Sequence, residues 1–203
     1  MKIIIVAAII VLALLSLNNN KGSSMELSKN DTILAFGDSL TYGFGADREE
    51  SYPSRLTLLS GYNVINAGVN GDTSEDGLKR LAPYLENPSV KLMILFFGGN
   101  DILQKKSMLE LKQNLLSMID MAKEKNIEIL LVSVPNISLF GLSSLDLYED
   151  ISDEEDIPLL KGMLSDILSN PSEKSDYIHP NAKGYEKMAK EIYKKLKKEG
   201  WTK

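Results

Sequence analysis

The chain has 203 residues, 43% hydrophobic and 25% charged, enough for one globular domain with its own core. Its net charge of −5 argues against nucleic acid as the main partner, because a phosphate backbone selects a basic face. It has no cysteine and one histidine, His179, which excludes disulfides, a cysteine nucleophile, thiolate metal sites, an acylated N-terminal cysteine and any metal site needing two histidines.

Residues 1–24 stand apart from the rest. Met1-Lys2 is followed by Ile3 to Leu15, a run without a polar side chain, and then by the polar stretch Asn18 to Ser24. One basic residue before a short apolar core has the form of an export signal. As a helix the run spans ~20 Å, less than a ~30 Å hydrocarbon core. Leu15 and Leu17 stand where a cleavage site needs small residues. The expectation is an exported protein, periplasmic or extracellular, with residues 3–17 either removed or kept as a membrane anchor. Residues 25–203 are then the folded domain.

Thr32 to Phe36 is a predicted strand. Tyr52 to Leu59 reads as a helix with Pro53 in its first turn and Gly61 after its end. Tyr62 to Asn66 is a second strand. Ser74 to Leu85 is a helix capped by Thr73 or Ser74, with Leu78, Leu81 and Leu85 on one face. Leu92 to Phe97 is continuously apolar, the mark of a strand buried on both faces. Leu109 to Lys125 is a helix with Leu111, Leu115, Met118, Ile119 and Ala122 at helical spacing. Ile127 to Val134 is a strand stopped by Pro135. The acidic end of residues 138–156 reads as a solvated helix face or loop. Ile157 to Leu160 is a short strand whose proline suits an edge. Asn181 to Glu199 is a last helix that turns Ala182, Tyr185, Met188, Ala189, Ile192 and Leu196 inward, with Gly200 ending it. Apolar strands alternating with helices imply a parallel sheet covered on both faces.

Four stretches carry the chemistry. Gly37-Asp38-Ser39-Leu40 puts a serine at the carboxyl end of the first strand, the edge where open α/β sheets hold ligands. Asn70-Gly71-Asp72-Thr73 and Gly98-Gly99-Asn100-Asp101 each follow a strand. A Gly71 N–H and an Asn100 side chain could donate to an oxyanion, although such residues also make ordinary turns. Asp176 and His179, three apart before the last helix, can form a base and the carboxylate that orients it. A lone Asp-x-x-His is more often structural. The four together converge on one sheet edge. Thr41 stands where a nucleophile elbow has its second glycine, which argues against an α/β-hydrolase. Asp38 and Asp101 read as structural, Asp101 stabilising the Asn100 turn. Leu103, Leu139, Phe140 and Ile178 are candidates to line an acyl pocket.

These stretches, in this order over about residues 31–199, resemble the SGNH (GDSL) hydrolases. They are most similar to the branch of bacterial secreted arylesterases and multifunctional thioesterase–lysophospholipases. The resemblance implies a three-layer α/β/α flavodoxin-like fold of about five parallel strands. It implies Ser39 as nucleophile, His179 as base, Asp176 as its partner, and an oxyanion hole of the Ser39 and Gly71 N–H groups and the Asn100 side chain. The implied substrate is a small acyl ester or thioester, lipid included, hydrolysed through an acyl-serine without metal or cofactor. Because the base must be neutral, activity is expected to fall in acid.

Three alternatives stay open at this point. A carbohydrate or peptidoglycan O-acetylesterase shares the same machinery. A metal-dependent phosphoesterase could use Asp38, Asn100, Asp101 and His179, but such dinuclear sites want several histidines. A non-catalytic flavodoxin-like binding module could keep the fold alone.

Overall fold

The structure, a computed structural model, describes residues 26–138, 141–143 and 145–203, with side chains outside 136–144. Its centre is a parallel sheet of five strands: β1 (Thr32–Gly37), β2 (Asn63–Gly68), β3 (Val90–Phe96), β4 (Glu128–Val132) and, after a hairpin of β5 (Asn136–Ser138) and β6 (Gly141–Ser143), β7 (Leu159–Leu160). The spatial order is β2-β1-β3-β4-β7, all parallel, while β5 and β6 pair antiparallel. This is the flavodoxin-like order, and the chain reverses its direction of travel between β1 and β3. That reversal opens a crevice at the carboxyl ends of those two strands.

The helices are α1 (Ser39–Tyr42), α2 (Tyr52–Ser60), α3 (Ser74–Leu85), α4 (Gly99–Leu103), α5 (Met108–Glu124), α6 (Asp146–Glu155), α7 (Met163–Ser169) and α8 (Ala182–Lys198). Helix α2 packs on α8, with α7 also against α8, while α3 and α6 pack on α5. The two groups form the outer layers. Ile33 to Phe36 and Leu92 to Phe97 are fully buried, as strands covered on both faces must be. In α5 the five residues at helical spacing are all buried, each apolar side chain of Leu or Ile size contributing about 1.5–3 kcal/mol.

Local chemistry sets the element ends near the crevice. Thr73 caps α3 through a capping box with Asp76: the Asp76 carboxylate accepts the Thr73 N–H at 3.1 Å, and Thr73 Oγ1 accepts the Asp76 N–H. Asn181 caps α8, its Oδ1 accepting the N–H groups of Lys183 and Gly184. Strand β2 begins one residue later than expected and runs on to Gly68, because its ladder with β1 continues until Gly37 meets Gly68. Tyr62 instead turns aside, and its hydroxyl donates to the Leu27 carbonyl at 3.0 Å. Strand β7 sits at the sheet edge, and Pro158 stands just before its first residue, its carbonyl accepting the Leu131 N–H at 3.0 Å. Asp146, Asp150, Asp153 and Glu154 of α6 are exposed, while Tyr148 and Ile151 are buried.

Candidate active site

The crevice between the ends of β1 and β3 is lined by Asp38, Ser39, Leu40, Gly99, Asn100, Leu103, Val134, Leu164, Ile178 and His179. Ser39 is the first residue of α1, so it stands just past the strand on a one-turn helix. Asp38 makes that turn: its Oδ1 accepts the Leu40 N–H at 2.9 Å. Leu40 and Thr41 bury the inner face of the turn, and Thr41 Oγ1 lies 3.1 Å from the Tyr52 hydroxyl on α2. The Gly43 N–H returns to the Ser39 carbonyl at 3.0 Å and closes it. A half-buried serine is thus held on a rigid element rather than on a loop.

His179 reaches this serine from the segment before α8. Its Nε2 lies 3.0 Å from Ser39 Oγ. Its Nδ1 lies 2.8 Å from Asp176 Oδ2. Asp176 Oδ1 accepts the backbone N–H groups of Ile178 and His179, each at 2.8 Å. Partial burial pushes the Asp176 carboxyl up, but those two N–H donors and the imidazole together hold it below its ordinary range. An ionised Asp176 accepts a hydrogen bond from the Nδ1–H of the neutral ring, leaving the Nε2 lone pair facing the Ser39 hydroxyl. The Phe44 ring packs 4.6 Å from the imidazole and covers one side of it. The His179 side chain is only 12% exposed.

On the other side of Ser39, Asn100 lies in the first turn of α4. Its Nδ2 donates to the Asp72 carbonyl at 2.9 Å and lies 3.5 Å from Asp38 Oδ2. This ties the Asn100 side chain to the loop that carries Gly71. Gly71 has φ +85°, a conformation that suits glycine, and a Cβ there would meet only open space. Among the described residues, neither the Ser39 N–H nor the Gly71 N–H has an acceptor. Gly98, before α4, has φ +124°, and a Cβ there would lie 2.1 Å from the buried Tyr148 hydroxyl. That hydroxyl donates to the Phe97 carbonyl at 2.7 Å.

Two carboxyls beneath the site are almost completely buried. Burial pushes Asp38 up from 3.8 to about 7, with the Leu40 N–H working the other way and the charges of Asp101 and Asp72 adding to the rise. Asp101 does not hold its own turn, as the sequence suggests. It reaches to the start of α3, where its Oδ2 accepts the Ser74 N–H at 2.9 Å and its Oδ1 accepts the Ser74 hydroxyl at 2.6 Å. No local pattern signals a partner so far away in the chain.

Of the pocket candidates, Leu103 and Ile178 line the crevice, while Leu139 and Phe140 lie outside the described residues. Leu40, Val134 and Leu164 also line it and are not among those pocket candidates. Leu164 belongs to α7, whose apolar residues Met163, Leu164, Ile167 and Leu168 do follow helical spacing. Among the described residues, no group of three His, Asp or Glu side chains comes together to hold a metal ion.

Residues 35–187 match the model of the GDSL-like Lipase/Acylhydrolase family. The chain is 30% identical to thioesterase 1/protease 1/lysophospholipase L1 of Escherichia coli strain K12 over 158 residues, 74% of this chain and 76% of that one. It is 27% identical to esterase TesA of Pseudomonas aeruginosa over 176 residues, 82% of this chain and 88% of that one. The psychrotrophic esterase EstA from Pseudoalteromonas sp., at 24% identity, has the same fold with a TM-score of 0.74 over 83% of this chain and 97% of that one.

Proposed function

The chain belongs to the GDSL-like lipase/acylhydrolase family and is a hydrolase of ester bonds, and on that premise we propose that Ser39 is its nucleophile, His179 its base and Asp176 the group that orients the base. The observation that carries this reading is the hydrogen-bonded line from Ser39 Oγ through His179 to Asp176, with contacts of 3.0 and 2.8 Å. His179 Nε2 takes the serine proton as Oγ attacks the acyl carbonyl. The Ser39 and Gly71 N–H groups and the Asn100 amide receive the negative charge that develops on the carbonyl oxygen, each such donor typically contributing ~10²–10³ in rate. The tetrahedral adduct collapses, the alcohol or thiol leaves with the proton from His179, and an acyl-serine remains. Water then attacks that ester with the same base, restoring Ser39 and releasing the acid.

The substrate in this reading is a small acyl ester or thioester. Leu40, Leu103, Val134, Leu164 and Ile178 give the acyl group an apolar wall. A lipid acyl ester fits that description, and so does an acetylated sugar with a short acyl group. A series of p-nitrophenyl esters from C2 to C16 separates them: a sharp C2 optimum selects a deacetylase, and a medium-chain optimum an acyl-chain hydrolase. The role of Ser39 is tested by Ser39→Ala, which should hydrolyse p-nitrophenyl acetate at the rate of buffer. A rate equal to the parent's would refute the assignment.

The apolar run Ile3 to Leu15 supports export, with the segment serving as a signal or as a membrane anchor. Among the described residues, no helix is long and apolar enough to cross a membrane. Fractionating cells that express the full chain tests this: export places the activity outside the cytoplasm, and a cytoplasmic enzyme contradicts it.

A further inference from the structure

Arg80 on α3 touches neither Ser39 nor His179, yet its guanidinium meets three segments that converge on them. Its Nη2 donates to the Gly37 carbonyl at 2.9 Å, at the end of β1. Its Nη1 donates to the Ala67 carbonyl at 3.0 Å, near the end of β2. Its Nε donates to Asp72 Oδ2 at 2.6 Å, in the loop that carries Gly71. The guanidinium lies over the Phe36 ring, 4.5 Å from its centroid, and the side chain is 23% exposed. We infer that Arg80 is a positioning residue that fixes the three oxyanion donors relative to one another.

Each donor traces back to one of these contacts. Gly37 is two residues before Ser39, whose N–H is one donor. Gly71 is next to Asp72, whose carboxylate Arg80 grips. Asn100 Nδ2 donates to the carbonyl of that same Asp72 at 2.9 Å. The Gly37 carbonyl also accepts the Val69 N–H at 3.2 Å, so the ends of β1 and β2 are joined there as well. Only a planar group with several fixed N–H donors can hold two carbonyls and a carboxylate together. A lysine has the charge but not the fork. Removing the fork leaves two strand-end carbonyls short of a donor and frees Asp72. A displacement of about 1 Å at an oxyanion donor is enough to cost roughly 10²-fold in rate.

This inference rests on the proposed roles of Ser39, Gly71 and Asn100, and the test keeps the two apart. Full-length Arg80→Lys, Arg80→Met, Asn100→Ala and Arg80→Lys/Asn100→Ala are compared on p-nitrophenyl acetate, beside Ser39→Ala, with thermal melting for each. A positioning role predicts that kcat of Arg80→Lys falls roughly 10- to 100-fold with KM within about threefold of the parent. It further predicts that the Arg80 and Asn100 losses do not multiply, since both act on the same oxyanion. If Arg80→Met does not fold, the lysine cycle still decides. An Arg80→Lys enzyme with kcat within threefold of the parent, or losses that multiply fully, overturns the inference. If Ser39→Ala keeps parental activity, it is the nucleophile assignment that fails.

Discussion

Asp176 holds His179 at two points at once: Oδ2 lies 2.8 Å from the ring Nδ1, and Oδ1 accepts the backbone N–H of the same residue at 2.8 Å. One carboxylate therefore sets both the path of the chain and the orientation of the ring. Asp176→Asn separates these jobs. The amide oxygen can still accept the backbone N–H groups, so the loop should keep its shape. The amide no longer presents an ionised oxygen to Nδ1, and kcat should fall by roughly 10²- to 10⁴-fold. The check is steady-state kinetics beside a melting curve: a large loss in kcat at nearly constant melting temperature is expected.

Asp38 predicts a pH-dependent stability. Its carboxyl is raised from 3.8 to about 7, chiefly by burial. The native state therefore binds more protons than the unfolded chain between those values. Its contribution to stability is complete below about pH 4 and is lost as the pH climbs to about 7. Asp38→Asn keeps an oxygen for the Leu40 N–H and removes the titration. Denaturant unfolding of parent and variant between pH 4 and 8 should show a shallower decline with pH in the variant. Equal slopes would count against a buried, protonated Asp38.

Ser74 should matter through Asp101. The Ser74 hydroxyl donates to Asp101 Oδ1 at 2.6 Å, and Asp101 is 1% exposed. Ser74→Ala leaves that oxygen without the donor, at a cost of about 1–3 kcal/mol. Urea unfolding measures it directly. The loss should exceed that of alanine at Ser117, whose hydroxyl lies in an exposed contact on α5.

Gly98→Ala should be among the most damaging small substitutions. It forces a side chain onto φ +124° and places Cβ 2.1 Å from the Tyr148 hydroxyl. Backbone strain alone costs about 1–3 kcal/mol. Combining it with Tyr148→Phe removes the clashing hydroxyl, so the double variant should lose less stability than the sum of the two single losses when measured by denaturant unfolding.

Much of the sheet was legible because its chemistry is local. The unbroken apolar run through Ile94 could only be a strand buried on both faces, and α8 follows from its helical spacing and the Asn181 cap. The SGNH resemblance and the five-strand parallel fold agree with what the family match and the structure show. The shortest helices escaped. Helix α1 has four residues, too few to show a period, and α4 opens with Gly99 and Asn100, which read as a turn. Residues of three of the four stretches line one crevice, and the fourth is tied to it through the bond from Asn100 Nδ2 to the Asp72 carbonyl. What joins them did not show in the sequence. Arg80 meets Gly37 and Asp101 meets Ser74 across distances in the chain that no local pattern encodes.

The central claim is that Ser39 carries the acyl group, and a fluorophosphonate probe tests it most directly. The full-length enzyme is treated with the probe, its residual activity on p-nitrophenyl acetate is followed, and the modified peptide is mapped by mass. The account predicts one adduct, on Ser39, forming in step with the loss of activity. An enzyme inactivated with Ser39 unmodified, or one fully active with Ser39 labelled, would contradict it.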